Sequence, residues 1–212
     1  MSPLDPTTHV LVDWALAIAA IAAAGVYGTV GVTLLTDLRF WPPGDADWKR
    51  RLHWTFVTAY TIAMAVVAVA DWNGWMLARP ISLAVGAPIA LAGGAVFHRG
   101  ANAMRTAEVA GVTGDLYTDG PYAYSRNPQY VGIVLGMLGA TLAVNSAVFA
   151  LLAALHVGWV LLLPIAEEPH LRSAYGEEYD RYAERVPRFV GRETLRRLGR
   201  EIAAGDSRAT SE

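Results

Sequence analysis

The chain contains no cysteine, which excludes disulfides, thiolate metal sites and a cysteine nucleophile. Charge is scarce too: 17% of its 212 residues are Asp, Glu, Lys or Arg, against 54% that are hydrophobic. The five histidines, His9, His53, His98, His156 and His170, are scattered without the spacing of a ligand set, so no metal is expected. A net charge of −2 gives no reason to expect a nucleic-acid partner. Inside the apolar segments the chain lacks the charged relay of a pump, and it shows no inverted repeat. Only His156 stands near the middle of a span. A packing role is the plainer reading of that histidine, and proton carriage is the alternative.

What the sequence has instead is length in its apolar runs. Val10 to Leu35 is broken only by Asp13, and it exceeds the roughly 20 residues that cross a hydrocarbon core. No Lys or Arg precedes it, and it is longer than the roughly 7 to 15 residues of a signal core, so it reads as a transmembrane helix rather than a cleaved leader. Further runs at Leu52–Ala70, Trp75–Phe97, Tyr130–Val144 and Val148–Ile165 bring the expected count to five, the last two a helical hairpin turning at Asn145-Ser146.

Positive charge tests that count. Arg39, Lys49, Arg50 and Arg51 fall between the first two runs, Arg99, Arg105 and Arg126 follow the third, and nine arginines follow Ile165. Arg79 alone lies on the other side. Since positive residues collect in the cytoplasm, the chain is expected to be an all-α integral membrane protein of the cell membrane, with its N-terminus outside and its C-terminus cytoplasmic. Six of the seven tryptophans, all but Trp159, lie near span ends, as an interfacial belt requires. A soluble helical protein is the competing class. The expected organisation is one membrane domain, residues 1–212: three N-terminal spans over 10–97, a functional half over 98–190, and a basic interfacial helix with a disordered GDSRATSE end over 191–212. Phe189, Leu195, Leu198 and Ile202 give that last helix an apolar face among arginines facing lipid headgroups.

Polar chemistry gathers at the cytoplasmic ends of spans three to five. Leu116–Tyr130 reads LYTDGPYAYSRNPQY, a turn followed by a helix start, with Pro128 at the first helical position, where its missing N–H costs nothing. A rigid elbow explains the prolines. It does not explain Arg126 beside Tyr122, Tyr124 and Tyr130, a cation and three rings at a helix N-terminus suited to an anion and an aromatic heterocycle. In the second stretch Glu167-Glu168 end the fifth span, and Leu171, Tyr175, Tyr179, Tyr182 and Val186 recur at helical spacing as an amphipathic stripe. The acid pair either marks the span boundary or awaits a cation. Small residues in the spans, Gly132 and Gly136 as G-x-x-x-G and Gly86, Ala90 and Gly94 at steps of four, read as helix-packing contacts. A small-residue wall that admits a flat ligand is the second reading.

At these two stretches the sequence resembles the integral-membrane methyltransferases of the isoprenylcysteine carboxyl methyltransferase and phospholipid N-methyltransferase group. The matching positions are Leu116, Thr118, Gly120, Tyr122, Arg126, Pro128, Tyr130 and Gly132, then Glu167, Glu168, Leu171, Gly176, Tyr179, Tyr182, Val186 and Pro187. The resemblance covers about the C-terminal half. It implies S-adenosylmethionine as cofactor, methyl transfer to a lipophilic acceptor in the membrane, and a cofactor site lined by Leu116, Tyr117, Tyr122, Asn127, Pro128, Gln129, Tyr130 and Glu167, with Glu168 and Arg126 as the candidate catalytic pair. Asn127 stands where the family has histidine. Leu163 stands where prenylcysteine carboxyl methyltransferases carry a carboxylate-binding arginine, so a lipid amine or other small lipophile is the expected acceptor. Prenylcysteine methylation and a catalytically silent scaffold are the alternatives.

Overall fold

A computed structural model describes residues 6–209 apart from Met76 and Thr113, with the side chains of Pro6, Thr7, Ala107, Ile202 and residues 204–209 also outside the described part. Residues 1 and 212, to which the charge bias assigns opposite sides, lie outside it as well. The described residues form helices and connecting loops: α1 (Pro6–Leu35), α2 (Asp47–Ala70), α3 (Arg79–Ala101), the single turn α4 (Thr106–Val109), a 3₁₀ turn at Gly120–Ala123, α5 (Pro128–Val144), α6 (Ala147–Tyr175), α7 (Glu177–Arg185) and α8 (Arg192–Ala209).

Helices α1, α2, α3 and α6 are long and apolar enough to cross a membrane; α5, at 17 residues, is shorter. The bundle is apolar outside as well as inside, with Ile21, Val69 and Leu91 each at least 70% exposed. In water such side chains would be a liability, whereas lipid is their natural solvent.

Two helix pairs, α1 with α2 and α3 with α5, flank α6, which touches α1, α2 and α5. The core is thin at α1, where Ala15, Ala19, Ala22, Val26 and Val30 turn inward, and broad at α6, where Trp159 and Leu152 fill the gap against Tyr60 and Met64 of α2. The α5–α6 hairpin turns where expected. Asn145 takes a left-handed conformation (φ 53), and the Ser146 hydroxyl caps α6 by accepting from Phe149 N–H at 3.0 Å. The principal partner of α5, however, is α3. A Cβ on Gly93 would stand 2.2 Å from the Gly136 nitrogen, and one on Gly139 would stand 2.1 Å from that of Ala90, so the two backbones meet with no side chain between them.

Two sequence-based boundaries move. The third helix begins at Arg79, with Pro80 in its first turn, rather than at Trp75. The sixth does not stop at the acid pair: it continues through Pro164 and Pro169 to Tyr175 and breaks at Gly176, whose φ of +55 only glycine adopts freely. The stripe from Leu171 to Val186 is therefore split between α6 and α7. Its members still meet, Tyr179, Tyr182 and Val186 forming a second small core with Leu171, Tyr175 and Leu116. At the C-terminal end α8 runs from Arg192 to Ala209.

Candidate functional site

The elbow is built by its own prolines and glycine and then tied down by the C-terminal segment. Gly120 takes φ +57 to enter the 3₁₀ turn, and Pro128 opens α5. Arg126 N–H donates to the Pro187 carbonyl at 2.9 Å, and the Asn127 side-chain amide and the Ser125 hydroxyl donate to the Arg188 carbonyl at 2.9 and 3.2 Å. The Tyr182 hydroxyl donates to the Tyr122 carbonyl at 2.8 Å. A mobile loop would lack this web of anchors.

Between the elbow, α6 and the loop after α4 lies a cavity of about 140 Å³. Leu116, Tyr117, Tyr122, Asn127, Gln129 and Tyr130 line it together with Arg126, Glu167 and Glu168. Of the site residues expected from sequence only Pro128 is absent from the lining; it is buried under Gly100 at the start of α5. Asn127 reaches the cavity wall while its amide is engaged with Arg188.

The two adjacent glutamates have opposite surroundings. Glu168 is 3% exposed and surrounded by cations. Arg188 bonds both its oxygens, Nε to Oε1 at 2.7 Å and Nη2 to Oε2 at 2.8 Å, and Arg126 Nη2 approaches Oε1 at 3.1 Å. Glu167 meets only neutral donors. Trp41 Nε1 and the Tyr130 hydroxyl both bond its Oε1, at 2.8 and 2.6 Å. Among the described residues no donor is seen at its Oε2 and no cation pairs with it. A carboxylate that lines a cavity with two neutral partners retains most of its attraction for a cation.

Arg126 is itself only partly satisfied. Its Nη1 donates to the Tyr179 hydroxyl at 3.2 Å, while its Nε is buried without a partner among the described residues. The site thus combines a carboxylate short of cations, a guanidinium whose buried Nε has no partner among the described residues, and the rings of Tyr122, Tyr130, Tyr179 and Trp41. A zwitterion joined to an aromatic heterocycle fits that donor set. Burial, with a smaller push from the Glu167 charge, raises the Tyr122 hydroxyl above the usual phenol range and keeps it protonated.

Three contributors were not singled out from sequence. Trp41, 3% exposed, comes from the α1–α2 loop, stacks on His53 at 4.1 Å and closes the cavity from the N-terminal side. Arg188 clamps Glu168 from beyond α7. Glu108, in α4, organises the loop that follows by accepting from Arg105 N–H at 2.8 Å and the Tyr117 hydroxyl at 2.8 Å. Burial would raise its carboxyl, but these bonds, the Asp115 N–H and the Arg105 charge together hold it below the ordinary carboxylate range. A carboxylate in a polar loop gives no sequence signal of such a role. Among the described residues no group of three His, Asp or Glu side chains is placed to hold a metal ion.

A second, larger cavity of about 440 Å³ opens between α2, α3, α5 and α6. Trp41, Val109, Gln129 and Tyr130 line both cavities, so the Trp41–Glu167–Tyr130 bridge stands at the partition between a polar chamber and an apolar one.

Comparison with known proteins follows the same region. Residues 81–178 match the phospholipid methyltransferase family. The chain is 39% identical over 74 residues to the protein-S-isoprenylcysteine O-methyltransferase of Schizosaccharomyces pombe, covering 34% of this chain and 31% of that protein. It is 36% identical over 81 residues to the nickel-cobalt-cadmium resistance protein NccN of Alcaligenes xylosoxydans xylosoxydans, covering 38% of each. To the cobalt-zinc-cadmium resistance protein CzcN of Cupriavidus metallidurans it is 38% identical over 85 residues, 39% of this chain and 38% of that one. The chain thus spans about a third of the length of these curated relatives. No solved structure matches it.

Proposed function

We propose, proceeding from a chain that resembles the integral-membrane methyltransferases and whose residues 81–178 match the phospholipid methyltransferase family, that it transfers a methyl group from S-adenosylmethionine to a lipophilic acceptor held in the membrane. The observation that carries this reading is the pairing of two unlike cavities across one bridge, polar and aromatic on the elbow side, apolar on the span side. We place five helices across the membrane, α1, α2, α3 and α6 with the shorter α5 as the fourth span, and set the elbow and the C-terminus on the cytoplasmic side where positive charge collects.

S-adenosylmethionine, when bound, supplies an electrophilic methyl group on a sulfonium. The chain's part is to hold and align. Glu167 would receive the ammonium group through the oxygen that Trp41 and Tyr130 leave open, and Arg126 Nε would meet the carboxylate. Leu116, Tyr117, Tyr122, Asn127, Gln129 and Tyr130 would wall the remainder, with Pro128 fixing the elbow beneath them. No covalent nucleophile is required, since alignment of an in-line displacement and exclusion of water can supply roughly 7 to 11 kcal/mol. Glu168 makes a poor base, because protonating it would strip Arg188 and Arg126 of their shared partner; we assign Glu168 and Arg126 chiefly to holding the elbow on α6.

A lipid amine or other neutral lipophile remains the favoured acceptor. Leu163 is buried in the wall of the apolar cavity, and none of that cavity's lining residues is Arg or Lys, so a carboxylate would enter without a counter-charge. Prenylcysteine methylation is the second reading, favoured by the fission-yeast relative. The test is turnover of methyl-labelled S-adenosylmethionine with native lipid extract: a labelled lipid confirms the activity, label lost to mild base as an ester turns the assignment to a carboxylate, and cofactor binding without any product makes the chain a silent scaffold.

A further inference from the structure

The apolar cavity contains one polar group that its surroundings do not satisfy. His156 is 9% exposed, lies against Trp159 (ring centroids 4.5 Å apart), and its Nδ1 is buried without a partner among the described residues. Two neighbouring polar groups are satisfied. His53 Nδ1 is bonded to the Thr29 hydroxyl at 2.8 Å, and the Tyr60 hydroxyl donates to the Leu152 carbonyl at 2.7 Å. A buried imidazole left without a hydrogen bond carries a desolvation cost that packing alone does not explain. It lines the same cavity as Gly94, Phe97, Ile133, Met137 and Leu163.

His156 and Glu167 lie on the same face of α6, about three turns and ~16 Å apart along its axis. The cavity between them has the size of a small-molecule site, whose volumes run from about 300 to 1,000 Å³. None of its lining residues is Asp, Glu, Lys or Arg, so a charged group at its far end would be costly.

We infer that the acceptor is an elongated lipophile with two polar ends, one presented to the Trp41–Glu167–Tyr130 bridge and the other a neutral oxygen function that hydrogen-bonds His156 at the far end of the cavity. This rests on the methyltransferase reading for the identity of the reacting end only. His156 then acts as a specificity determinant: it selects by the distance between two polar groups, not by hydrophobicity alone. A plain alkyl tail leaves the imidazole unpaired, while a tail ending in a hydroxyl at matching length pairs it.

The test uses the absence of cysteine. Gly94 lines the cavity and has nothing within 4 Å of an added Cβ, so Gly94→Cys places a single thiol in its wall. In phosphatidylcholine nanodiscs, the rate of alkylation by N-ethylmaleimide is measured against increasing ω-aminododecanol or dodecylamine. Protection at about tenfold lower concentration of the amino-alcohol is expected with His156 present, equal protection by both probes after His156→Phe, and restored preference after His156→Gln. Equal protection in the His156 protein, preference that survives His156→Phe, or protection by neither probe overturns the inference. S-adenosylmethionine affinity is read on the same samples: its absence with probe preference intact removes the methyltransferase reading and leaves the two-ended cavity standing.

Discussion

Arg188 grips Glu168 with both prongs of its guanidinium, at 2.7 and 2.8 Å, across a chain separation of 20 residues. Because Arg126 shares the same carboxylate at 3.1 Å, one buried acid joins the elbow, α6 and the segment after α7. Removing it leaves two cations facing each other, Arg126 with only 11% of its side chain exposed. Glu168→Gln should therefore destabilise the detergent-solubilised protein by about 3 kcal/mol, within the range for a broken buried pair. Arg188→Ala should cost only about 1 kcal/mol, because that side chain is 39% exposed and solvent screens its share. Thermal unfolding of the two variants without cofactor should preserve that order; equal losses would mean the clamp contributes nothing beyond surface pairing.

Glu167 is expected to behave in the opposite way. Its partners are the neutral Trp41 and Tyr130, so Glu167→Gln leaves no buried cation orphaned and unfolding should shift little. Cofactor affinity should fall about ten- to a hundredfold, the worth of one charge-assisted hydrogen bond of roughly 1.5 to 3 kcal/mol. Calorimetric titration with S-adenosylmethionine separates the two acids: unaltered affinity in Glu167→Gln would place the ammonium group elsewhere.

The elbow and the acid pair were legible because their chemistry is local: prolines, glycine and aromatic residues within fifteen positions, and two carboxylates beside an apolar run. Trp41 was not, since its bond to Glu167 spans 126 residues and a tryptophan at a span end already has a sufficient reason in the interfacial belt. The glycines were read as packing residues, but periodicity does not say which helix they meet, and the hairpin made α6 the expected neighbour of α5 where α3 is the main one. Helix α6 outruns the end expected at Glu167-Glu168 and continues to Tyr175. The acids find partners within the fold instead of marking its edge, and the helix carries Pro164 and Pro169 in its interior although each removes a hydrogen bond and crowds the preceding turn. The side of the membrane to which each terminus belongs rests on charge distribution alone.

The α3–α5 contact gives a sharp contrast between adjacent glycines. A Cβ at Gly93 would lie 2.2 Å from backbone nitrogen, which no side-chain adjustment relieves, whereas one at Gly94 meets nothing within 4 Å. Gly93→Ala must push α3 away from α5 and should cost about 2 kcal/mol or more, in the range of overpacked cores. Gly94→Ala should be neutral or slightly stabilising, alanine being the better helix former by about 1 kcal/mol. Melting temperatures in one detergent decide it, and a Gly93→Ala protein as stable as its Gly94→Ala counterpart would show that the two backbones are not in contact.

Glu108 gives the loop after α4 a pH dependence whose sign follows from its surroundings. The Arg105 and Asp115 N–H groups, the Tyr117 hydroxyl and the Arg105 charge outweigh burial and hold the carboxyl below its ordinary range. A depressed carboxyl contributes stability that is complete above its unfolded value and is lost as the pH falls through the folded one. The loop from Arg105 to Tyr117 should therefore keep these bonds at neutral pH and loosen only as the pH falls below the ordinary glutamate range. Tyr117 lines the cavity and donates to Glu108 at 2.8 Å, so cofactor affinity should weaken together with the loop. Hydrogen exchange across 105–117 at descending pH should show earlier opening there than in α3 or α5. In Glu108→Gln the loop should already exchange faster at pH 7 and lose its acid-dependent step. An acid step that persists unchanged in that variant would assign it to another carboxylate.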